Sequence, residues 1–316
     1  MTKEELIQSL AFIFNEQDVP QVVVFAVGGN NSPLLLNVHP NAQVSLLQLF
    51  KNSISTHILS DNIQLVAYSM ADNSKDCIYE YDIDGELPPK MKEMEEVMDD
   101  FEIGMYDYDS NGTRGIDHLL IKITNGENNA VLYKKVANVD RFYRSNKTIF
   151  TYFSQGSLVE TDTDFLRIGS GFQSILACNH FVFLEDKFAE TEFNILENLN
   201  KEVDARITAL ENTGYFSSLE KLKKYADKVP FSRKLVKVLR SSPIINYNID
   251  KSKVFDFIRS KDELKNRILI EKDGNEEYIV INSQKGAQAI LDLFNDEFLI
   301  SELTGASYQA QSKVEL

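Results

Sequence analysis

Cations that could bind phosphate groups are concentrated in one stretch of this chain, residues 218–267. The stretch holds fourteen Lys and Arg residues against six acids, a net charge of +8, whereas the whole chain carries −15. A basic segment in an acidic chain is typical of a protein that binds a polyanion or docks on an acidic surface. This stretch is therefore the candidate working surface.

Helical spacing arranges these cations in two rows. The rows are Lys221, Lys224 and Lys228 in a first helix, and Arg233, Lys234, Lys237 and Arg240 in a second. The second row lies opposite Leu235, Val238 and Leu239, so we predict that the apolar stripe is buried and that the cations point outward. An ordinary solvated helix face is the alternative. The predicted polyanion-contacting residues are Lys221, Lys223, Lys224, Lys228, Arg233, Lys234, Lys237 and Arg240.

A second candidate is an oxygen-rich segment that resembles half of a calcium loop. Asp107, Asp109 and Asn111 stand at positions 1, 3 and 5, and a glycine follows at position 6. Position 12 should be a bidentate glutamate but is His118. Without that ligand we interpret the segment as a turn rich in Asp and Asn, and we predict no metal site.

Other sequence patterns for catalysis were not found. No Walker loop, nucleophile elbow, zincin helix or kinase motif occurs, and the four histidines form no ligand pair. The acidic stretch 72–109 lacks the strand-borne Asp…Glu-x-Lys order of a metal-dependent nuclease, and we interpret it as a solvated or docking face. Cys77 and Cys178 are too few for a disulfide framework and fit a reducing compartment. We therefore predict no catalytic residue and no cofactor.

The elements that must position the cations change in kind near residue 186. Before it, Thr2 and Glu5 have capping-box spacing at the start of an amphipathic helix, and a second helix is predicted at 44–54. Short β-branched and aromatic segments predict strands at 21–27, 34–38, 63–68, 78–83, 119–123, 131–136, 148–153, 165–168 and 175–183. Residues 1–185 are therefore predicted to form an α+β domain.

Residues 186–316 have mainly helical periodicity. Helices are predicted at 188–210, 218–228, 231–241, 250–260 and 284–295, with a hairpin at 268–281 and a compact C-terminal tail. The order of three helices and a hairpin resembles that of a winged helix. The predicted fold class is α+β, a mixed sheet-and-helix domain followed by a mainly helical half. No apolar run approaches the roughly 20 residues that span a bilayer, so membrane association would require a partner.

Two stretches resemble the KwaB family, the soluble component of the bacterial Kiwa anti-phage defence system. They are DKFAETEF at residues 186–193 and LFNDEFLISELTGASYQAQSK at residues 293–313. Length and the order of segments also fit the family. Within the second stretch, we interpret Tyr308 and the Thr304-Gly305 turn as structural residues that pin the tail onto its domain.

The resemblance implies a DNA-binding effector that forms a homodimer and acts with KwaA, a membrane protein, to hinder phage DNA replication and expression. It implies a cytoplasmic protein recruited to the inner membrane through that partner. The resemblance also favours DNA over other polyanions as the ligand of the basic surface. Two alternatives remain: a metal-dependent nuclease, and an adaptor whose basic helices dock on a membrane partner.

Overall fold

Two units that interleave along the sequence make up this protein. The computed structural model describes residues 1–29, 32–70, 76–83, 85–99, 103–142, 150–161, 163–295, 298–300 and 307–309. The first unit comprises Met1–Ala67, Asn73–Tyr81 and Leu87–Phe193, and the second comprises Tyr68–Asp72, Asp82–Glu86 and Asn194–Leu316. The simpler division into domains 1–185 and 186–316 stays a prediction.

The first unit combines helices with a large mixed sheet. Its helices are α1 (Lys3–Leu10), α2 (Pro40–Ile54), α3 (Pro89–Met98), α4 (Tyr108–Asn111) and α5 (Asp186–Glu192). Its strands are β1 (Gln21–Val27), β2 (Leu34–Leu36), β3 (Gln64–Ala67), β4 (Cys77–Glu80), β5 (His118–Thr124), β6 (Asn129–Lys135), β7 (Arg141–Phe142), β8 (Phe150–Ser154), β9 (Ser157–Thr161), β10 (Phe165–Leu166), β11 (Ser174–Ala177) and β12 (His180–Phe183). Eight strands form one sheet in the order β2-β1-β5-β6-β11-β12-β4-β3, in which only β3 and β4 are parallel neighbours.

Both faces of this sheet are covered, which explains the nearly continuous apolar runs of its central strands. Alternate residues of β5, such as Leu119 and Ile121, pack in the core cluster that contains α1 and α2. The intervening Lys122 is buried on the opposite face, where its ammonium group donates to the carbonyls of Val97 (3.1 Å) and Met98 (3.0 Å). A lysine of the sheet thus satisfies carbonyls that the last turn of α3 leaves open.

Two predicted elements are each divided by residues with left-handed backbone. The predicted strand 175–183 is instead the hairpin of β11 and β12, because Cys178 (φ 47°) and Asn179 (φ 62°) form a turn. The predicted helix 188–210 was also wrong, since α5 ends at Glu192 and a new helix begins after Asn194 (φ 54°). Asparagine tolerates this conformation better than most residues, and the apolar period continues across the break.

The second unit is mainly helical. Its helices are α6 (Ile195–Glu211), α7 (Glu220–Tyr225), α8 (Val229–Ser241), α9 (Pro243–Asn246), α10 (Lys251–Ser260), α11 (Asp262–Lys265) and α12 (Gln284–Phe294). Its strands are β13 (Phe216–Ser218), β14 (Leu269–Asp273), β15 (Glu276–Val280), β16 (Phe298–Ile300) and β17 (Ser307–Gln309). Strands β14 and β15 form the predicted hairpin around Gly274 (φ 62°), and β13 lies parallel to β15. The α+β class, with a helical second half that carries a hairpin, is confirmed.

The likeness to a winged helix does not extend beyond the order of elements. A recognition helix must be long enough to lie in a DNA groove and present several side chains to it. The helix directly before the hairpin, α11, has only four residues and begins with Asp262 and Glu263. The predicted structural role of Thr304-Gly305 and of the Tyr308 side chain falls outside the described residues.

Candidate nucleic-acid interface

The lysines of α7 divide between two faces of the helix. Lys221 and Lys224 are exposed, and within the described part of the chain neither ammonium group makes an ion pair or a hydrogen bond. Lys223 instead lies 3.2 Å from the carboxylate of Glu211 in α6. It borders a polar groove of about 330 Å³ that two aspartates also line. Lys221 and Lys224 are therefore the members of this helix that are available to an external anion.

Lys228, the N-cap residue of α8, continues the exposed row. Its ammonium nitrogen lies 3.3 Å from the side-chain oxygen of Gln284, at the start of α12. A neutral hydrogen-bond partner positions this cation without cancelling its charge. Lys221, Lys224 and Lys228 thus form an exposed row, as their helical spacing predicts.

Arg233 is held inside the second unit by α8 and is not presented to solvent. Only 3% of the residue is exposed, and its guanidinium carbon lies 4.7 Å from the ring centroid of Tyr68. Tyr68 is itself buried and belongs to the short segment that continues from β3 into the second unit. The prediction that Arg233 points outward was wrong, because a segment distant in sequence covers this face of the helix. An arginine over an aromatic ring is a favourable contact when it is withdrawn from water.

The other cations of α8 are only partly exposed; they are Lys234, Lys237 and Arg240. The ammonium group of Lys234 pairs with Asp292 of α12 at 2.6 Å. Arg240 donates to the backbone carbonyl of Asp82, and it lies 3.7 Å from a glutamate of α6. These contacts stabilise the packing of α8 within its own unit and neutralise part of its charge. The assignment of all eight predicted residues to DNA binding stays a prediction.

Replacing Arg233 with glutamine should lower the free energy of unfolding by about 2 kcal/mol, because a buried cation–π contact and the packing of the arginine stem are lost. Chemical denaturation with circular dichroism measures this change. Arg167→Gln is the control, since that arginine pairs with Asp140 but is 61% exposed at the side chain. An Arg233 variant as stable as the Arg167 variant would contradict a structural role.

The stretch at residues 186–193 ends in an ion-pair network of the first unit. Glu192 accepts hydrogen bonds from the ammonium groups of Lys90 and Lys135, and from the Tyr133 hydroxyl at 3.0 Å. Burial alone would raise the pKa of Glu192, but the hydrogen bonds from the two lysines and the charge of Lys90 lower it to about 2. Burial, and then the Glu192 charge, raise the pKa of the Tyr133 hydroxyl.

Aromatic rings pack around the ion-pair network of Glu192. Phe193 lies 4.6 Å from Tyr133 and 5.0 Å from Phe183, measured between ring centroids. His118 also stacks on Tyr133, with 4.6 Å between ring centroids, and shares a 2.8 Å hydrogen bond with Glu93. The stretch that resembles the family therefore fastens α5 to the sheet, and His118 packs against the same tyrosine.

The Asp-rich segment that resembles a calcium loop uses its oxygens to cap a helix. Asp107 is the N-cap residue of α4, and its carboxylate accepts the Ser110 backbone N–H at 3.2 Å. Hydrogen bonds from Ser110 lower the pKa of Asp107. Across the residues the structure describes, no group of three or more His, Cys, Asp or Glu side chains is placed to hold a metal ion.

Sequence reasoning missed a group of exposed apolar side chains on the β8–β9 hairpin. Tyr152, Phe153 and Leu158 are 53%, 78% and 60% exposed, and Phe165 of β10 is also exposed nearby in sequence. The pairs Tyr152–Val159 and Phe153–Leu158 occupy opposite faces of the hairpin. Grouped apolar side chains in water are typical of an interaction surface. The available sequence signal was the near absence of charge between residues 150 and 161.

Fold and site together define a two-unit α+β protein with a candidate polyanion-binding surface. One unit is a helix-covered eight-stranded sheet, and the other is a mainly helical unit with an exposed row of lysines. Among the residues described here, none of the helices is both long and apolar enough to cross a membrane.

Comparison with known proteins identifies the family. The model of the Kiwa protein KwaB-like family matches residues 113–304, which are 192 of the 316 residues. Kiwa protein KwaB of Escherichia coli O55:H7 (strain RM12579 / EPEC) is 20% identical over 318 residues, with 99% of this chain and 98% of that protein covered. No solved structure matches the chain. The chain belongs to the KwaB-like family and is thus a component of the Kiwa anti-phage defence system.

Proposed function

We propose that this protein binds DNA through the exposed lysines of α7 and the start of α8, and thereby hinders replication and expression of phage DNA. In this proposal it acts as a homodimer in the cytoplasm and is recruited to the inner membrane by the KwaA-type membrane protein of the system. The observation that supports DNA binding most directly is the row of Lys221, Lys224 and Lys228. These cations are exposed and have no carboxylate partner among the described residues.

Phosphate contacts from lysines explain how such a protein would act on many phage sequences. Contacts with the DNA backbone position a protein and supply affinity, but they carry no direct sequence information. The lysines lie on α7 and α8, where Lys223, Arg233 and Lys234 instead contact other groups of the structure. A protein partner is supported by a different surface, the exposed apolar hairpin of the first unit.

Binding of a random 30-base-pair duplex should weaken steeply as salt rises. The three lysines of the row should contribute about −2.7 to the slope of log affinity against log salt, because each neutralised phosphate contributes about −0.9. Fluorescence anisotropy between 50 and 300 mM NaCl measures the slope. Parallel samples with Mg²⁺ or Mn²⁺, resolved on a denaturing gel, would reveal the cleavage expected of a nuclease. Absence of salt-dependent binding would contradict the proposal.

A further inference from the structure

Exposed cations of the second unit that face no carboxylate extend beyond the predicted row. Arg267, in the turn after α11, and Lys285, in the first turn of α12, are both exposed. Within the described residues neither side chain makes an ion pair or a hydrogen bond. Lys201, Lys223 and Lys265 of this unit are also exposed, but each of them pairs with an acid. Neither Arg267 nor Lys285 belongs to the site predicted from helical spacing.

Contacts within the unit join these two cations to the lysine row. Lys228 reaches the side chain of Gln284 at 3.3 Å, so the start of α8 lies beside the start of α12. Lys285 is the next residue along the chain. The following Gly286 packs against the backbone of Arg267, and a Cβ atom there would lie only 2.8 Å from the Arg267 carbonyl oxygen.

Glycine at position 286 thus permits a close approach that another residue would prevent. The approach brings the first turn of α12 against the turn that carries Arg267. The contacts therefore run from α7 to the N-cap of α8, from there to the first turn of α12, and from that turn to Arg267. We define this set of five cations as the cation track: Lys221, Lys224, Lys228, Lys285 and Arg267.

We propose that Lys285 and Arg267 contact the same DNA backbone as the lysine row, so that the DNA-binding surface turns from α7 towards α12 and does not follow α8. This inference rests on the proposed DNA binding and extends it to two residues in other elements. Two cations of α8 are not available to continue the row, because Arg233 is buried and Lys234 is paired with Asp292.

The side chains around the cation track favour duplex DNA as the ligand. Surfaces that bind single strands combine cations with aromatic rings on which bases stack. The exposed aromatic side chains of the described residues are Tyr108, Tyr152, Phe153, Phe165 and Tyr247, and none of them belongs to α7, α8 or α12. A surface with exposed cations and no fully exposed ring on these helices favours recognition of phosphates, which a duplex presents in two regular rows.

The test compares the salt slopes of the full chain and of four double variants on a 30-base-pair duplex. If all five cations contact phosphates, the wild-type slope should be about −4.5, and Lys285→Gln with Arg267→Gln should reduce it to about −2.7. At 50 mM salt that double variant should bind about 100-fold more weakly. Lys201→Gln with Lys265→Gln removes equal charge from lysines that are already paired and should leave the slope unchanged.

Three outcomes distinguish this inference from the proposed function. In the first, the Lys285 and Arg267 variant keeps the full wild-type slope while Lys221→Gln with Lys224→Gln flattens it. That result would overturn the extension of the site to Lys285 and Arg267 and would leave the proposed DNA binding in place. Lack of salt-dependent binding by the wild type would overturn both. Tighter binding to a 30-nucleotide single strand than to the duplex would overturn the choice of ligand. The charge-conserving variant Lys285→Arg with Arg267→Lys should have the wild-type slope, which would support direct phosphate contact. Circular dichroism measures whether each variant is folded.

Discussion

Simultaneous replacement of Lys221, Lys224 and Lys228 with glutamate should weaken duplex DNA binding about 1,000-fold at 50 mM salt and flatten the salt slope by about 2.7. The estimate follows from the loss of three phosphate contacts, each of which releases a counterion on binding. Repulsion between the introduced carboxylates and the DNA backbone adds to the loss. Fluorescence anisotropy measures the affinity, and chemical denaturation should show a change below about 1 kcal/mol because all three side chains are exposed.

A matched variant separates local contact from net charge. Replacing Lys187, Lys201 and Lys272 with glutamate changes the total charge by the same amount, and all three residues are exposed. None belongs to the cation track, so this variant should keep the wild-type slope. Equal loss of binding in both variants would show that total charge governs the association. If the variant of Lys221, Lys224 and Lys228 kept DNA binding but lost the complex with the membrane partner, the result would favour an adaptor whose basic helices dock on that partner.

Local patterns predicted most elements of the fold, whereas the breaks inside elements needed the structure. The strand 21–27 and the Thr2–Glu5 capping box follow directly from period and cap chemistry, and both are present. Asn194 could not be identified as a break from the sequence, because the apolar spacing of α6 continues that of α5. The turn at Cys178 and Asn179 was hidden in the same way, since both flanking strands are apolar.

The candidate site was predictable where it depends on helical phase and unpredictable where it depends on distant segments. Lys221 and Lys224 are exposed because their helix packs through Leu222, the residue that it buries. Phase also places Arg233 away from the Leu235 stripe, but it cannot show that Tyr68, more than 160 residues earlier, covers that face. Lys285 escaped prediction because it lies outside the basic stretch and approaches it only through the fold.

Replacing Glu192 with glutamine should lower the free energy of unfolding at pH 7 by about 2 kcal/mol, because two lysines and a buried tyrosine lose their shared carboxylate partner. The full pKa shift would give a larger figure, but Lys135 is half exposed and its ion pair is screened by water. Glu185→Gln is the matched control. That residue is exposed directly before α5, and its side chain makes no capping hydrogen bond.

The pH dependence of stability gives this prediction its sign. The folded-state pKa of Glu192, about 2, lies below the ordinary glutamate pKa of 4.5, so the stabilisation is present above pH 4.5 and is lost as pH falls towards 2. Wild type should therefore lose stability across that window more steeply than Glu192→Gln, and the two curves should converge near pH 2. Urea denaturation at pH 7, 4 and 3 measures the difference. Parallel curves at all three values would show that the carboxylate does not hold α5 on the sheet through its charge.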